Sequence, residues 1–358
     1  MPAIKSLLIL GLVPLALAET PPTLTIATWG GAYESVQRVV LFDPFTEQTG
    51  ITIETEAYNG GLAVLDDSPP DLIDMSMVET LAACETGRLQ LLDHSTLAEG
   101  TDGTPARQDF ASGTLQPCSV AHSVYATVIA YDSRAFPGQR PSGVADLFNL
   151  EDFPGLRALQ DSPYANLEWA LMSYDVPRKD LYDLLSTQRG LRLAFDRLEN
   201  LADQVFWWQA GQTPVEWLES GKVVMASGFN GRFFSARLDT NSPIEILWDG
   251  QVQEHQTWVI PKGANHADAA RAFIRFATTT GRMAAIANHI AYGPTRNSAH
   301  ALISRHPEAD FDMRPHIPTH PYNASTAISK DVLWYARTYQ RILQQFEKWR
   351  NGELNDGS

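Results

Sequence analysis

The alternation of apolar and polar side chains near the beginning of the chain predicts a buried strand that turns sharply into a helix. An alternating apolar run is formed by Leu24, Ile26 and Ala27. Trp29 and two glycines follow it, and then apolar residues at helical spacing within 36–40. This order holds an aromatic side chain at the carboxyl end of a strand, where glycine amides and a helix N-terminus favour a polar or anionic ligand. The alternative is that Trp29 packs in the core and the glycines only make the turn.

The same patterns divide the rest of the chain into strands and helices that take turns, which is typical of an α/β protein with largely parallel sheets. Apolar and alternating runs predict strands at 51–55, 71–76, 124–131, 157–159, 205–208, 223–227, 244–248 and 258–260. Apolar residues at helical spacing predict helices at 78–85, 166–174, 179–185, 191–201, 267–278 and 281–289, with one or two more within 328–349. Pro44 and Gly50 are expected to interrupt the chain after the first helix.

The first 18 residues have the pattern of a cleaved secretion signal. Lys5 precedes an apolar stretch from 7 to 17, and small residues end it at Ala18. This stretch is too short for a membrane span, and no later run reaches the roughly 18 apolar residues that a transmembrane helix needs. We expect cleavage after Ala18 and a soluble, exported protein that begins at Glu19.

Length and charge limit the architecture and the partners. The chain has 358 residues, 44% of them hydrophobic, and a formal net charge of −15. This length exceeds what one core comfortably supports, so two lobes are expected, with the turn-rich segment 136–143 as the first passage into the second lobe. The acidic balance argues against nucleic acid or an anionic membrane as a partner.

The two cysteines, Cys84 and Cys118, are expected to form a disulfide, because an even pair in an oxidising compartment usually bridges. Two buried free thiols are the alternative. A metal site is less favoured, since two cysteines without a nearby histidine pattern do not supply four ligands.

The sequence lacks the common catalytic motifs. It contains no G-x-S-x-G elbow, no P-loop, no G-x-G-x-x-G fingerprint and no H-E-x-x-H zinc motif. His316 and His320 have the spacing of helical metal ligands, but the prolines around them exclude that helix. We therefore expect no catalysis, no metal and no cofactor.

Four segments together carry a resemblance to a known family: ATWGGAY with the later DPFTEQTGI, GFNGR at 228–232, TWVIPKGA at 257–264 and AYGPTRNSA at 291–299. In content and order they resemble the bacterial extracellular solute-binding proteins of ABC transporters, in the branch that includes the spermidine/putrescine receptors. The resemblance covers nearly the whole mature chain.

The resemblance implies a type II periplasmic binding protein, in which two lobes of mostly parallel sheet flanked by helices close by a hinge on one small molecule. The first lobe would be 19–131 plus 258–306, and the second 132–257 plus 307–358. The protein would be a monomeric periplasmic receptor. It would capture a polyamine-like or amino-acid/opine-like ligand and deliver it, chemically unaltered, to an ABC membrane permease.

Residue by residue, the resemblance also implies a ligand site with aromatic walls. The implied ligand-binding residues are Trp29, Gly30, Gly31, Tyr33, Ser76, Phe229, Asn230, Arg232, Gln256 and Tyr292. Aromatic faces would cover methylene groups and attract ammonium groups. Ser76 and Asn230 would hydrogen-bond the ligand.

Departures from the polyamine receptors make a diamine a poor ligand. Gln256 stands where those receptors have a carboxylate, and Glu168 looks like part of a helix. A buried ammonium without a charged partner is costly. Arg232 and Arg296 favour an anionic ligand instead, because either guanidinium could hold a carboxylate or phosphate if it faces the cleft. The alternative for each is an exposed arginine or a salt bridge between lobes.

Two other functional classes stay open at this point. An iron(III)-binding periplasmic protein would use clustered tyrosine oxygens, but the chain contains no Tyr-Tyr pair. An exported hydrolase would need a nucleophile motif, and none is found.

Overall fold

The strands of the protein join into one mixed sheet. The computed structural model describes residues 22–238 and 242–353, so the predicted signal peptide 1–18 lies outside the described residues. The strands in the described part are β1 (Thr23–Thr28), β2 (Thr52–Ala57), β3 (Leu72–Ser76), β4 (Leu115–Gln116), β5 (Ser119–Asp132), β6 (Arg157–Gln160), β7 (Val205–Trp208), β8 (Met225–Phe229), β9 (Ile244–Val259), β10 (Gly293–Pro294) and β11 (Ile328–Ser329).

Helices connect the strands, as the predicted α/β class requires. They are α1 (Gly31–Gln37), α2 (Asp43–Thr49), α3 (Met77–Glu85), α4 (Ala106–Asp109), α5 (Val144–Leu147), α6 (Asn166–Met172), α7 (Leu181–Leu185), α8 (Gln188–Glu199), α9 (Thr213–Glu219), α10 (Asn230–Leu238), α11 (Ala267–Ala277), α12 (Thr280–His289), α13 (Asn297–His300), α14 (Pro321–Ala324) and α15 (Val332–Arg350). Throughout the described ranges, every helix is too short or too polar to cross a membrane.

Pro44 does not interrupt the chain as expected. A π-helical turn, Arg38–Phe42, joins α1 directly to α2, and Pro44 lies in the first turn of α2. The proline is tolerated because the carbonyl of Val40, four residues earlier, accepts from Arg282 at 3.0 Å and so does not need an N–H at position 44. Gly50 does end α2, with a left-handed φ of 75°.

The sheet order is β2-β1-β3-β9-β5-β8-β6-β7. At one end β1 pairs in parallel with β2 and β3, and at the other end β6 pairs in parallel with β7 and β8. In the middle, β9 and β5 are antiparallel to each other and to their neighbours β3 and β8. The α/β class is confirmed, and the sheet is parallel at its two ends and antiparallel across its centre.

The predicted strands 244–248 and 258–260 are not separate, because β9 is one strand of 16 residues. Polar residues in the middle of β9 interrupt its apolar pattern, so the sequence alone predicts two short strands there. Gln251 is fully buried there, and its Nε2 donates to two backbone carbonyls at 3.0 and 2.6 Å. Both donors of this buried side chain are thereby satisfied, which lowers the cost of burying it in the strand.

Two large apolar cores lie on either side of the β5–β9 pair. The first draws on 24–120 and 258–299, and the second on 129–201, 225–252 and 328–346. Trp258 of β9 packs in the first core and Leu247 of the same strand in the second. The long strands therefore connect the two lobes, and the two-lobe class is confirmed.

A disulfide joins Cys84, in the last turn of α3, to Cys118, just before β5, with the Cα atoms 5.9 Å apart. The predicted bridge is confirmed. It ties α3, which carries cavity residues, to the sheet.

Candidate functional site

A cavity of about 480 Å³ opens beside the β5–β9 pair. One wall comes from α1, α3 and the segment 290–292, and the other from the β8–α10 junction and α15. The volume is typical of small-molecule sites, which run from about 300 to 1,000 Å³. The implied ligand-binding residues that line the cavity are Trp29, Tyr33, Ser76, Phe229, Arg232, Gln256 and Tyr292. Gly30, Gly31 and Asn230 are outside the lining.

Trp29 lies directly after β1, on the turn that leads into α1. Its indole Nε1 donates to Oε1 of Gln256 at 3.1 Å, and its ring meets that of Tyr58 at a centroid distance of 4.7 Å. Gly30 and Gly31 have φ values of 67° and 62°, which side chains rarely adopt. The two glycines therefore aim the indole into the cavity without lining it themselves.

Four aromatic rings form a continuous wall from one lobe to the other. Tyr33 and Tyr292 meet at a centroid distance of 5.2 Å, Tyr292 and Tyr125 at 6.2 Å, and Tyr125 and Phe229 at 5.9 Å. These distances are those of edge-to-face and tilted aromatic pairs, so the rings hold one another in place. The wall offers flat apolar faces to a ligand.

A buried polar network behind the wall positions Tyr33. The phenol donates to Oδ2 of Asp74 at 2.7 Å, and Gln37 donates to the same oxygen at 2.7 Å. His122 lies 3.2 Å from the other oxygen of Asp74 and stacks on Trp258. Because Asp74 is fully buried, these donors supply the hydrogen bonds that its carboxylate needs.

The wall tyrosines retain their protons. Burial, reinforced by Asp74, raises the pKa of Tyr33, and burial together with Glu254 raises that of Tyr125. Burial also raises the pKa of Tyr292 to about 12, although the nearby Arg232 lowers it in part. The tyrosines act as neutral hydroxyls.

Glu79 and Ser76 occupy the cavity side of α3. Ser76 caps the helix by accepting from the amide of Glu79, and its hydroxyl donates to Oε2 of Glu79 at 2.9 Å. Tyr58 donates to the same oxygen at 2.8 Å, and the amide of Gly61 donates to Oε1. Ser76 therefore contacts the cavity while its hydroxyl is committed to Glu79, and Glu79 is held by three donors.

A buried ion pair occupies another part of the lining. Nζ of Lys330 lies 2.6 Å from Oε2 of Glu254, and the two side chains are only 6% and 8% exposed. The ammonium also lies 3.5 Å from the ring centroid of Tyr164. Both members of the pair line the cavity.

Arg232 is the other cavity-lining cation in the described ranges. It lies in α10, and none of the described carboxylates forms an ion pair with it. A Cβ atom at Gly31 would lie 3.5 Å from Nη1 of Arg232, and a Cβ atom at Gly211 would lie 2.9 Å from its Nε. Because these two residues have no side chain, there is space for the guanidinium between them.

Asn230 has a structural role instead of the expected ligand contact. It is fully buried, its Oδ1 accepts from the amide of Ala126 at 2.9 Å, and its Nδ2 donates to the carbonyl of Ala291. The amide thereby joins α10 to β5 and to the segment that carries Tyr292.

Arg296 does not face the cavity either. It is fully buried and pairs with Asp109 at 2.8 Å, and its remaining donors bond the carbonyls of Thr278 and Ala98. Of the two alternatives for Arg296 the structure shows a salt bridge, and because Asp109 and Arg296 both belong to 19–131 plus 258–306, it lies within the predicted first lobe instead of between lobes. Glu168 is in α6 as expected, and accepts from Tyr335 at 2.7 Å and Tyr182 at 3.0 Å.

Sequence reasoning missed several lining residues: Glu79, Tyr125, Tyr164, Glu254, Lys330 and Tyr339. For two of them a signal was present. Glu79 stands three residues after Ser76 in a capping-box pattern, and Glu254 is two residues before Gln256 on the same face of a strand. Lys330 had no local signal.

Comparison with known proteins shows a family match. Residues 41–319 match the family described as bacterial extracellular solute-binding protein. The gamma-aminobutyric acid-binding protein of Pseudomonas aeruginosa is 30% identical to this chain over 333 residues, which cover 91% of this chain and 90% of the relative.

Solved structures show the same fold. The PBP MotA from A. tumefaciens B6 in complex with glucopine has a TM-score of 0.81 at 24% identity, over 92% of this chain and 99% of MotA. An ABC transporter substrate-binding protein from Bradyrhizobium japonicum USDA 110 also has a TM-score of 0.81, at 25% identity and over 92% and 99% of the two chains.

Proposed function

This chain belongs to the bacterial extracellular solute-binding proteins, and on that premise we propose that its cavity binds an amino acid or amino-acid derivative with a free carboxylate. Proteins of this family bind small molecules and deliver them to ABC permeases.

The observation that carries the proposal is Arg232. A half-buried guanidinium in a ligand cavity, without a carboxylate partner among the described residues, is a ready site for a ligand carboxylate. Its planar fork forms two parallel hydrogen bonds with a carboxylate, which fixes the orientation of the ligand. Gln256, whose Oε1 accepts from Trp29, retains its amide N–H donors for a second polar contact.

The charges in the described lining favour a zwitterion over a polyamine. Glu79 and Glu254 are balanced by Lys330 and Arg232, so the formal charges of the lining cancel. A ligand with one carboxylate and one ammonium keeps that balance, whereas a diamine adds two buried positive charges. The ammonium end would lie against the rings near Trp29 and Glu79.

The relative from P. aeruginosa supports this class of ligand, because its name states that it binds gamma-aminobutyric acid, which has both charges. The cavity of about 480 Å³ also has room for a larger amino-acid derivative.

The lobes are proposed to close around the ligand about the β5–β9 hinge, with 19–131 plus 258–306 as one lobe and 132–257 plus 307–358 as the other. The location of the two cores supports these bounds except at 129–131, where Ile129 and Tyr131 pack in the second core. We also propose export to the periplasm after cleavage behind Ala18, action as a monomer, and release of the ligand unchanged. Intact mass, sedimentation, and mass spectrometry of the ligand after incubation test these points.

Isothermal titration calorimetry of Arg232→Gln tests the carboxylate site. Hydrogen bonds to charged groups are worth about 1.5 to 3 kcal/mol, so we expect amino-acid affinity to fall by about 10- to 100-fold. Arg237→Gln is the matched control, since Arg237 lies in the same helix, pairs with Glu245 and is outside the cavity lining. Unchanged affinity in the Arg232 variant overturns the proposal, as does failure of the wild type to bind any of a panel of amino acids and opines.

A further inference from the structure

We propose that Lys330 is a specificity-determining residue, whose ammonium permanently fills a second amine-binding subsite of the cavity, beside Glu254, and thereby excludes diamines. The inference rests on the proposed function, because it concerns ligand choice in the same cavity. It adds a residue whose role is to reject one class of ligand.

The surroundings of Lys330 have the composition of an amine-binding subsite. Its Nζ contacts the Glu254 carboxylate at 2.6 Å, and lies 3.5 Å from the ring centroid of Tyr164 and 5.0 Å from that of Tyr335. A carboxylate beside aromatic faces is the combination that attracts an alkylammonium group. Here the protein itself supplies the ammonium.

The backbone holds Lys330 in this position from two sides. Its amide donates to the carbonyl of Gln253 in β9 at 3.1 Å, directly before Glu254. Lys330 also lies between β11, which pairs with β9, and α15, which contributes Tyr339 to the cavity. Tyr339 stacks on Tyr164 at 5.1 Å, so the ring that faces the ammonium is itself supported. The lysine is built into the cavity wall.

The consequence is electrostatic. Glu254 is only 7% exposed, and its charge is compensated before any ligand enters. A ligand amine therefore gains no unpaired carboxylate at this position and would have to displace a paired lysine, which leaves a second buried cation. Without the lysine charge, Glu254 becomes a buried carboxylate that lacks a cation, and a ligand ammonium relieves that cost. Removal of the charge should open the cavity to amines.

The test uses two ligands with the same four-carbon chain. 4-Aminobutanoate carries one ammonium and one carboxylate, whereas 1,4-diaminobutane carries two ammonium groups. For Lys330→Met, calorimetry is expected to show at least about a tenfold gain in diamine affinity over the wild type. The variant Lys330→Gln removes the charge but keeps a donor, and covers the case in which the methionine variant does not fold.

Two controls separate specificity from structure. Adding Glu254→Gln to the lysine variant removes the carboxylate that the diamine would use, so diamine affinity is expected to return to the wild-type value. Lys348→Met makes the same substitution at an exposed position of α15 and is expected to change nothing. Thermal midpoints confirm that each variant is folded.

The outcomes distinguish this inference from the proposed function. A folded Lys330 variant without a gain in diamine affinity overturns the inference, as does a gain that survives Glu254→Gln. The gain is measured against the wild type with the diamine alone, so it does not depend on amino-acid binding. Amino-acid binding that depends on Arg232, together with no diamine gain, overturns the inference and leaves the proposed function standing.

Discussion

The indole of Trp29 donates a hydrogen bond to the side chain of Gln256, 227 positions later in the sequence. Trp29 follows the strand β1, and Gln256 lies on β9, with β3 between the two strands. The bond fixes the rotation of the ring on the cavity wall. A glutamine amide can do this while its N–H groups stay available for a ligand.

The first prediction concerns Trp29. We expect Trp29→Ala to reduce ligand affinity by about 30-fold with the fold retained, since an aromatic ring buried against a ligand contributes roughly 2 kcal/mol. Calorimetry measures the affinity and circular dichroism the fold. Trp217→Ala is the matched control, because Trp217 is also half-buried but packs on Lys222 and Phe206 away from the cavity. Wild-type affinity in the Trp29 variant would place the ligand elsewhere.

The second prediction concerns Gln256. Replacement by alanine removes the acceptor of the indole, a loss of about 1 kcal/mol and so about fivefold in affinity. The decrease should be smaller than that of Trp29→Ala, since the ring itself remains. The fluorescence of the tryptophan and its change on ligand addition would report the altered ring. A larger loss than for the tryptophan variant would mean that Gln256 binds the ligand more strongly than it orients Trp29.

The third prediction concerns Gly231, which lies under the aromatic wall. A Cβ atom there would come within 2.5 Å of Cε1 of Tyr292. Tyr292 is 8% exposed and packs against Tyr33 and Tyr125, so it has little room to move. We expect Gly231→Ala to lower the free energy of unfolding by about 1 to 3 kcal/mol and to weaken ligand binding.

A matched glycine is available as the control for this substitution. Gly281 lies near the start of α12, and a Cβ atom there has no neighbour within 4 Å. Gly281→Ala should stabilise the protein by up to about 1 kcal/mol, because alanine favours a helix. Denaturant unfolding checks both variants, and equal effects would contradict the clash with Tyr292.

Local patterns predicted the first part of the site well. The apolar run, the two glycines and the helical spacing that follows are adjacent in sequence, so the turn that presents Trp29 could be predicted without tertiary contacts. The same holds for β2, β3 and α3, whose strands and cap have local signals.

Contacts between distant residues could not be predicted. The Lys330–Glu254 pair depends on the parallel pairing of the two-residue strand β11 with the polar middle of β9, and neither stretch has an apolar pattern. The resemblance implied Arg232 as a ligand-binding residue, but the sequence left open whether Arg232 or Arg296 faces the cleft. In the structure Arg296 pairs with Asp109, 187 residues away, and lies outside the cavity, whereas Arg232 lines it. This long-range pairing has no signal in the local sequence.

The fourth prediction concerns the disulfide. Reduction, or the double substitution Cys84→Ser and Cys118→Ser, should lower the free energy of unfolding by about 2 to 4 kcal/mol, since the bridge constrains the unfolded chain. Because neither cysteine lines the cavity, the affinity of the folded protein should change little. Urea unfolding with and without reductant, followed by calorimetry, separates the two effects. A large loss of affinity at unchanged stability would show that the bridge positions α3 for binding.

The last prediction concerns the pH dependence of the buried pair Asp109–Arg296. Burial opposes ionisation of Asp109, but hydrogen bonds from Ser298 and Arg296 outweigh it and lower the pKa of the carboxyl below its ordinary 3.8. A lowered folded-state pKa means that the unfolded chain takes up the proton first as the pH falls. The stability contributed by Asp109 is therefore fully present above pH 3.8 and is lost as the pH falls through the lower folded-state value.

Asp109→Asn tests this pair, because it removes the charge with little change in shape. At pH 7 we expect a loss of about 3 to 5 kcal/mol, the cost of leaving the Arg296 guanidinium buried without its partner. The difference from the wild type should narrow as the pH falls below 3.8, because the unfolded wild-type chain takes up the proton there and the folded protein does so only at lower pH. Asp268→Asn, at a fully exposed carboxylate paired with Arg271, should change little at any pH. Chemical unfolding at a series of pH values measures both variants, and a difference that stays constant down to acid pH would contradict the assignment of Asp109 as the ionised partner.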